Sequence, residues 1–447
     1  MKKEYLLYKL YDHSKKRVHI NNELFEKYNV KRGLRNKDGT GVLVGLTNIG
    51  DVVGYKKNEN GEVCPIDGKL FYRGYDLEDI TKDILQSKRF GYEEVCYLLL
   101  SGKLPDMERL KSFNEIIKEN MYLDKKTIMH IIDLEGQNIM NILSRSVLEM
   151  YIHDPNPEDL SLENLMIQSI RLIAQIPAVI AYAYNMYHYS VYHKYLNIIL
   201  PKTKYSIAEN FLYMLKQDFT HLEARMLDLL LILHAEHGGG TNSTFTVRVT
   251  SSARTDTYSS ISAGIGSLKG DLHGGANIKV ADMFNHLKEV ITDWKNKEEL
   301  DAYLIKILNK EAYDKSGLIY GMGHAVYTLS DPRAVILKEL ARELVKEKGK
   351  EKEFEFLELI EQRAIECFIK VKGENKRVCA NVDLYSGFIY DMLGIPKEIY
   401  TSLFAMARIV GWCAHRIEEL NFDARRIIRP AYKNVTEPIE FTPMEDR

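Results

Sequence analysis

The chain has 447 residues, with 61 Lys and Arg against 63 Asp and Glu for a formal net charge of -2, and 45% of its residues are hydrophobic. That length exceeds one compact core and predicts two domains, while the near-balanced charge offers no polyanion-binding surface and argues against nucleic acid as a partner. Cys64, Cys96, Cys367, Cys379 and Cys413 show no CxxC spacing, which predicts neither a disulfide framework nor a zinc knuckle and points to a reducing compartment, the cytoplasm.

The opening MKKEYLLYKLYDHSKKRVHI has no uninterrupted apolar core and no small-residue cleavage site, so no secretory signal is expected. Residues 33–75 alternate β-branched residues with Gly, Asn and Asp, the pattern of short strands and hairpins. At Asp76 the spacing becomes helical: Asp76 is a natural N-cap, and Leu77, Ile80, Ile84 and Leu85 fall on one face. Helices then dominate, interrupted at Ser101-Gly-Lys-Leu-Pro and at Asp154-Pro-Asn-Pro. The apolar region 172–192 contains Gln175, Pro177, Asn185 and His188, which predicts a buried helix or helix pair and no membrane span. Tyrosines clustered between positions 182 and 205 are assigned packing between helices. Residues 222–233 form an apolar helix running into a histidine-rich segment.

Further on, KELARELVKEKGKEKEFEFLELIEQR predicts solvated Lys/Glu helices around a turn at Gly349. It separates two glycine-bearing segments and so predicts a smaller helical domain inserted into a larger one. The expected division is a large domain at 1–274, including the β-rich stretch 33–75, a small helical domain at 275–388, and the C-terminal part of the large domain at 389–447. The fold class is mostly α.

Chemistry concentrates at glycine- and proline-marked positions. His237 precedes Gly238, Gly239 and Gly240, and His273 precedes Gly274 and Gly275, so the backbone beside each imidazole can bend sharply and approach a ligand. His324 sits in Gly321-Met-Gly-His, Arg333 in Asp331-Pro-Arg, Asp383 in Asn381-Val-Asp, Arg408 in ARIVGWCAH and Arg429 in RRIIRPAY. Arginine forks bind carboxylates and keep their charge, whereas histidines donate to a carbonyl. The set suits a small dianionic substrate with Asp383 as base. His234 and His237 raise the alternative of an H-x-x-H metal pair; zinc pairs on a helix use i, i+4 spacing, so no metal is expected and His234 is read as structural or supporting.

The segments LHAEHGGGTNST, LHGGAN, GMGHAVYTLSDPRA, NVDLYSG and ARIVGWCAH with IRP resemble, in order, those of the citrate synthase family. The spacing agrees, with 36 residues from His237 to His273, nine from His324 to Arg333 and 25 from Asp383 to Arg408. GLRNKDGTGVLVGLT and GKLFYRGYDLEDI also resemble the bacterial branch. The resemblance implies a two-domain multi-helical fold with a small N-terminal β-hairpin region. It also implies condensation of acetyl-CoA with oxaloacetate to citrate and CoA, with no metal and no cofactor, acetyl-CoA being a substrate. By the same resemblance Asp383 takes a methyl proton, His273 donates to the thioester oxygen and His324 to the ketone, while His237, Arg333 and Arg408 hold oxaloacetate. Arg429 would reach a neighbouring subunit's site and make the enzyme a homodimer, with Arg426 in reserve. The candidates for CoA are the Gly321 and Gly323 backbone together with Arg32, Lys372 and Arg377.

Three positions depart from the family pattern: Thr328 where a basic residue is common, and Asp271 and Ala380 where proline is common. Two other readings stand beside the main one. A 2-methylcitrate synthase uses the same machinery on propionyl-CoA, and one methyl group is worth only about 1–3 kcal/mol in a pocket. A non-catalytic helical dimer would keep the fold as an interaction module.

Overall fold

A computed structural model describes residues 3–37, 39–60, 62–134, 136–373, 377–423 and 425–447. The chain forms two compact units, one running to Leu46 and one spanning Thr47–Arg447. The first holds the helices Lys3–Arg17 and Asn22–Lys27 and a short turn at Arg32–Leu34. Asn21 caps the second helix by accepting from the Glu23 N–H at 3.0 Å, and Tyr5, Leu7, Tyr8 and Tyr11 of the first are exposed.

The second unit is a helical core with one antiparallel sheet, β1 (Gly50–Lys57), β2 (Val63–Tyr72) and β3 (Tyr75–Asp76), in the order β1-β2-β3. Strands were expected from residue 33. They begin at Gly50, and upstream an isolated bridge joins Arg35 to Gly41. Leu43, Val44 and Leu46 remain exposed, so no buried face selects a strand register for them.

This small sheet is a spacer between two parts of the site. Positions 54 and 68 must be glycine for close approach: a Cβ at Gly54 would lie 2.5 Å from the Val326 carbonyl oxygen, and one at Gly68 would lie 2.3 Å from that of Ser330. The Tyr327 hydroxyl donates to the Lys69 carbonyl at 3.2 Å. At its other end, β2 places the Tyr72 hydroxyl 2.9 Å from the Ile232 carbonyl and 3.2 Å from that of Glu236. One strand therefore touches both the segment that carries His324 and the segment that carries His237.

Helices supply the rest. Asp76 caps the Leu77–Gln86 helix as expected, with Leu77, Ile80 and Ile84 buried. The apolar region is a single helix, Leu162–Tyr192, capped by Ser161 and containing Pro177. Its length and hydropathy would suit a membrane crossing, but 72% of its most apolar window is buried. It packs on the helices Met107–Asn120, Ile207–Lys216 and Tyr400–Leu420, as a core helix does. The Tyr400–Leu420 helix is buried almost all round, including Arg408, His415 and Arg416. It packs on His221–His234, Asn242–Ser252 and Thr257–Leu268, the helices that lead into and out of the histidine-rich segment.

The charged run turns at Gly349, whose φ of +63° ends the Pro332–Lys348 helix. It is not simply solvated, however. Leu337, Ala341 and Leu344, and Phe354, Phe356, Leu357 and Ile360 of the Glu351–Lys372 helix, are buried, because apolar residues recur at helical spacing beneath the lysines and glutamates. Lys338–Glu361 at 2.7 Å and Arg342–Glu358 at 2.6 Å pair the two helices at the surface. All five cysteines are free.

Substituting Gly68→Ala forces a methyl group against the Ser330 carbonyl. We expect a loss of about 1–3 kcal/mol, the usual range for overpacking, measured as a lower melting temperature in thermal unfolding.

Candidate active site

His324 and Asp383 are brought together by backbone stitching. Gly321 and Gly323 take φ of +84° and +96°, left-handed values that cost a side chain energy but not glycine, and a Cβ on Gly321 would lie 3.0 Å from Leu384 Cα. The Gly323 N–H donates to the Cys379 carbonyl at 2.8 Å, the Asn381 N–H to the Gly321 carbonyl at 2.9 Å, and the Asn381 side-chain amide to the Gly323 carbonyl at 2.9 Å. Asn381 also caps the Val382–Met392 helix by accepting from the Asp383 N–H at 3.0 Å. On the histidine side, the Val326 and Tyr327 N–H groups donate to His324 Nδ1 at 3.1 and 3.0 Å. Backbone N–H groups only donate, so Nδ1 is the acceptor and Nε2 carries the proton.

His273 is fixed in the opposite tautomer. The Ser243 N–H donates to its Nε2 at 3.2 Å, and the Ser243 Oγ lies 2.9 Å from the same atom. The Trp412 Nε1–H in turn donates to that Oγ at 3.3 Å. The Ser243 N–H and the Trp412 Nε1–H can only donate, so Nε2 accepts and Nδ1 holds the proton. Ser243 lies in the first turn of the Asn242–Ser252 helix, whose positive end disfavours an imidazolium. Another helix begins at Ala276, just after the His273 turn, but the contact to the ring comes from the Asn242–Ser252 helix. Burial, and then the Arg408 charge, push the His273 pKa down to about 4.

The third imidazole and the two arginines complete the cluster. The His237 and His324 ring centroids are 5.0 Å apart, and His324 stacks on Tyr327 at 4.5 Å. His237 Nε2 is buried without a hydrogen-bond partner. Burial, followed by Arg333, His324 and Arg408, lowers its pKa well below the ordinary value. Arg333 donates through Nε and Nη2 to the two Asp331 oxygens at 3.0 and 2.7 Å. Burial alone would raise the Asp331 pKa, but Arg333 outweighs it and holds the carboxyl below its usual range. Arg408 gives only its Nε, to the His234 carbonyl at 2.6 Å, and both Nη atoms are buried and unpaired. Arg416, in the same helix, shows what a structural arginine looks like: its nitrogens donate to Thr257, Ser251, Ser260 and the Thr255 carbonyl. Asp383 feels burial first, opposed by Arg333 and reinforced by Asp331, and its pKa rises to about 6.

A family model described as citrate synthase, C-terminal domain, matches residues 38–431. The chain belongs to the citrate synthase family. Citrate synthase 2 of Bacillus subtilis is 33% identical over 386 residues, which covers 86% of this chain and 94% of that protein. The Deinococcus radiodurans citrate synthase is 37% identical over 347 residues, 77% and 85% of the two chains. The Thermotoga maritima citrate synthase structure superposes with a TM-score of 0.72 at 30% identity, covering 94% of this chain and 99% of that one. A ternary complex of carboxymethyl coenzyme A and oxaloacetate with the Thermoplasma acidophilum citrate synthase superposes at 0.76, with 27% identity and the same coverage. The mostly α multi-helical class expected from the sequence is thus the fold of citrate synthases, and the chain is an acyltransferase of that type. These relatives are named citrate synthases, which does not favour the 2-methylcitrate alternative.

Arg429 and Arg426 are exposed in the irregular segment after the Tyr400–Leu420 helix, where the Ile428 N–H is tied to Ser252 Oγ at 3.0 Å. Lys372 and Arg377 are exposed, and Arg32 belongs to the first unit, where its guanidinium lies over the Phe25 ring at 4.5 Å. Thr328, which stands where the family often has a basic residue, has its hydroxyl oxygen buried and unpaired. Among the described residues no group of three or more His, Cys, Asp or Glu could hold a metal ion. His234 donates from Nδ1 to the Leu230 carbonyl at 2.8 Å. Sequence reasoning gave no role to Ser243, Glu236, Asp331 or His415, although Ser243 follows the glycine run and Glu236 abuts His237.

At pH 7 we expect ¹⁵N spectra of the imidazoles to show His273 as the neutral Nδ1–H form and His324 with its proton on Nε2. An imidazolium signal at His273 would contradict the Ser243 geometry.

Proposed function

We propose that this chain condenses acetyl-CoA with oxaloacetate and water to give citrate and free CoA, and that the observation carrying this reading is the pairing of a raised carboxyl, Asp383, with imidazoles held as neutral donors. Asp383 takes a proton from the acetyl methyl group while His273 Nδ1–H donates to the thioester oxygen. A carboxylate is too weak a base for that carbon unless the enolate charge is met as it forms; a neutral imidazole donor matches the developing enol better than a cation. The enol carbon then attacks the oxaloacetate ketone, and His324 Nε2–H gives a proton to the ketone oxygen. Water releases CoA from the resulting thioester. His237, Arg333 and Arg408 hold oxaloacetate, the arginines meeting its carboxylates with charge-assisted bonds. The reaction runs on these side chains, with acetyl-CoA a substrate and no cofactor.

The same proposal assigns residues 275–388 to a lobe that closes over oxaloacetate and shields the thioester from premature hydrolysis. It gives CoA contacts to the Gly321 and Gly323 backbone and to Arg32, Lys372 and Arg377. It makes the enzyme a cytoplasmic homodimer in which Arg429 serves the neighbouring subunit.

Free-CoA release in the presence of oxaloacetate tests the reading. Asp383→Asn and His273→Ala should each lower kcat by roughly 10²–10⁴, the range for a lost general acid–base group. A folded protein that releases no CoA from either acetyl-CoA or propionyl-CoA would refute the activity. The raised Asp383 pKa also fixes a direction with pH. The base form exists above about 6, so kcat/KM should hold above that value and fall as pH drops through it, and a pH–rate profile checks the limb.

A further inference from the structure

Glu236 takes no part in the proposed chemistry, yet it is fully buried beside the site, at 0% exposure. Its Oε1 accepts from the Gly238 N–H at 2.5 Å and from His415 Nε2 at 2.9 Å. Arg248 Nη1 lies 2.6 Å from His415 Nδ1. A guanidinium only donates, so Nδ1 accepts and Nε2–H is the end that reaches Glu236. Arg248 is itself clamped by Glu418 at 2.9 Å and Glu419 at 3.0 Å. The relay therefore runs from Arg248 through His415 to Glu236 Oε1, where the Gly238 N–H, next to His237, donates to the same oxygen.

The fold makes room for this carboxylate. A Cβ at Gly50 would lie 2.7 Å from Glu236 Oε1, and one at Gly411 would lie 2.5 Å from Oε2 and 3.3 Å from Arg408 Cδ. Glu236 and the Arg408 stem thus flank the same glycine. Oε2 is buried with no hydrogen-bond partner, as are both Arg408 Nη atoms, so the two groups are neighbours that do not close into a fork. Asp331 and Arg333 do close into one. Burial alone would raise the Glu236 pKa, but His415 and then Arg408 reverse the shift, and the carboxyl sits below its ordinary value.

We propose that Glu236 is a positioning residue of the oxaloacetate cradle: it fixes the His237–Gly238 turn and supplies the counter-charge of Arg408 from behind, leaving both Nη atoms open to a substrate carboxylate. This rests on the citrate synthase reading above, and it assigns to Glu236 a task distinct from that of Asp331. The Asp331 carboxylate occupies the donor edge of its arginine, whereas Glu236 compensates its arginine without consuming a donor.

Glu236→Gln keeps the shape and removes the charge. We expect the oxaloacetate KM to rise ~10- to 100-fold, the equivalent of one charged hydrogen-bond contact. The kcat and the acetyl-CoA KM should change by less than about threefold, and the melting temperature should stay near wild type. Glu236→Asp, which restores the charge, should recover part of the oxaloacetate affinity. His415→Gln, which breaks the relay but leaves the carboxylate, should raise the same KM by a smaller factor.

An unchanged oxaloacetate KM in folded Glu236→Gln overturns the proposal, as does a loss of kcat without a change in KM. Should Glu236→Gln unfold, His415→Gln decides by the same criterion, and unfolding of both overturns it by making the relay purely structural. Calorimetric oxaloacetate binding keeps the two readings apart. Wild-type protein that binds oxaloacetate but releases no CoA refutes the activity; active wild type with unchanged oxaloacetate binding in Glu236→Gln refutes the role of Glu236.

Discussion

Arg333 and Arg408 lose nearly all their hydration inside a helical core, at 4% and 0% exposure, and an uncompensated ion there costs several kcal/mol. The surroundings answer each charge differently. Asp331 meets Arg333 with a two-point fork, while Arg408 keeps one backbone carbonyl and a carboxylate neighbour. Burial lowers the Arg408 pKa to about 10 with Glu236 opposing the shift, so the group remains a cation at neutral pH. Gly411 leaves room for the Arg408 stem and for the Glu236 carboxylate, and His415 and Arg248 stand in line behind that carboxylate.

Once two cations are fixed in the interior, the protonation of the imidazoles is no longer free. Burial and positive neighbours both oppose an imidazolium at His237 and His273. The backbone enforces the same outcome by aiming N–H groups at ring nitrogens, at Ser243 for His273 and at Val326 and Tyr327 for His324. Asp383 moves the other way because burial outweighs its attraction to Arg333. One electrostatic environment thus separates donors from base without any residue needing an exotic side chain.

Much of this was legible in the sequence because the chemistry constrains residue type at marked positions. His324 and Asp383 stood out by their glycine- and asparagine-marked segments, and the structure adds the left-handed φ of Gly321 and Gly323 and the Asn381 cap. Asp76, the apolar helix before His234 and the Gly349 turn were readable on the same local grounds. What escaped was non-local. His415 and Glu236 are 179 residues apart and Arg248 and His415 are 167 apart, and in a sequence a buried Glu or Arg is indistinguishable from a solvated one. The start of the sheet was missed for a related reason: the apolar residues between 42 and 46 resemble a strand, but only a partner surface could have made them one.

Trp412 adds a property that distances alone do not convey. An indole N–H has no lone pair, and neither does a backbone amide, so the chain from Trp412 through Ser243 to His273 has no reversed arrangement of equal energy. A serine hydroxyl in a symmetric setting spins between donors and acceptors, and the imidazole beyond it would flicker between tautomers. Here the spin is rectified. The reactive proton on His273 is held in place by the absence of any alternative, so its position is inherited from the packing of two helices and does not have to be re-established at each turnover.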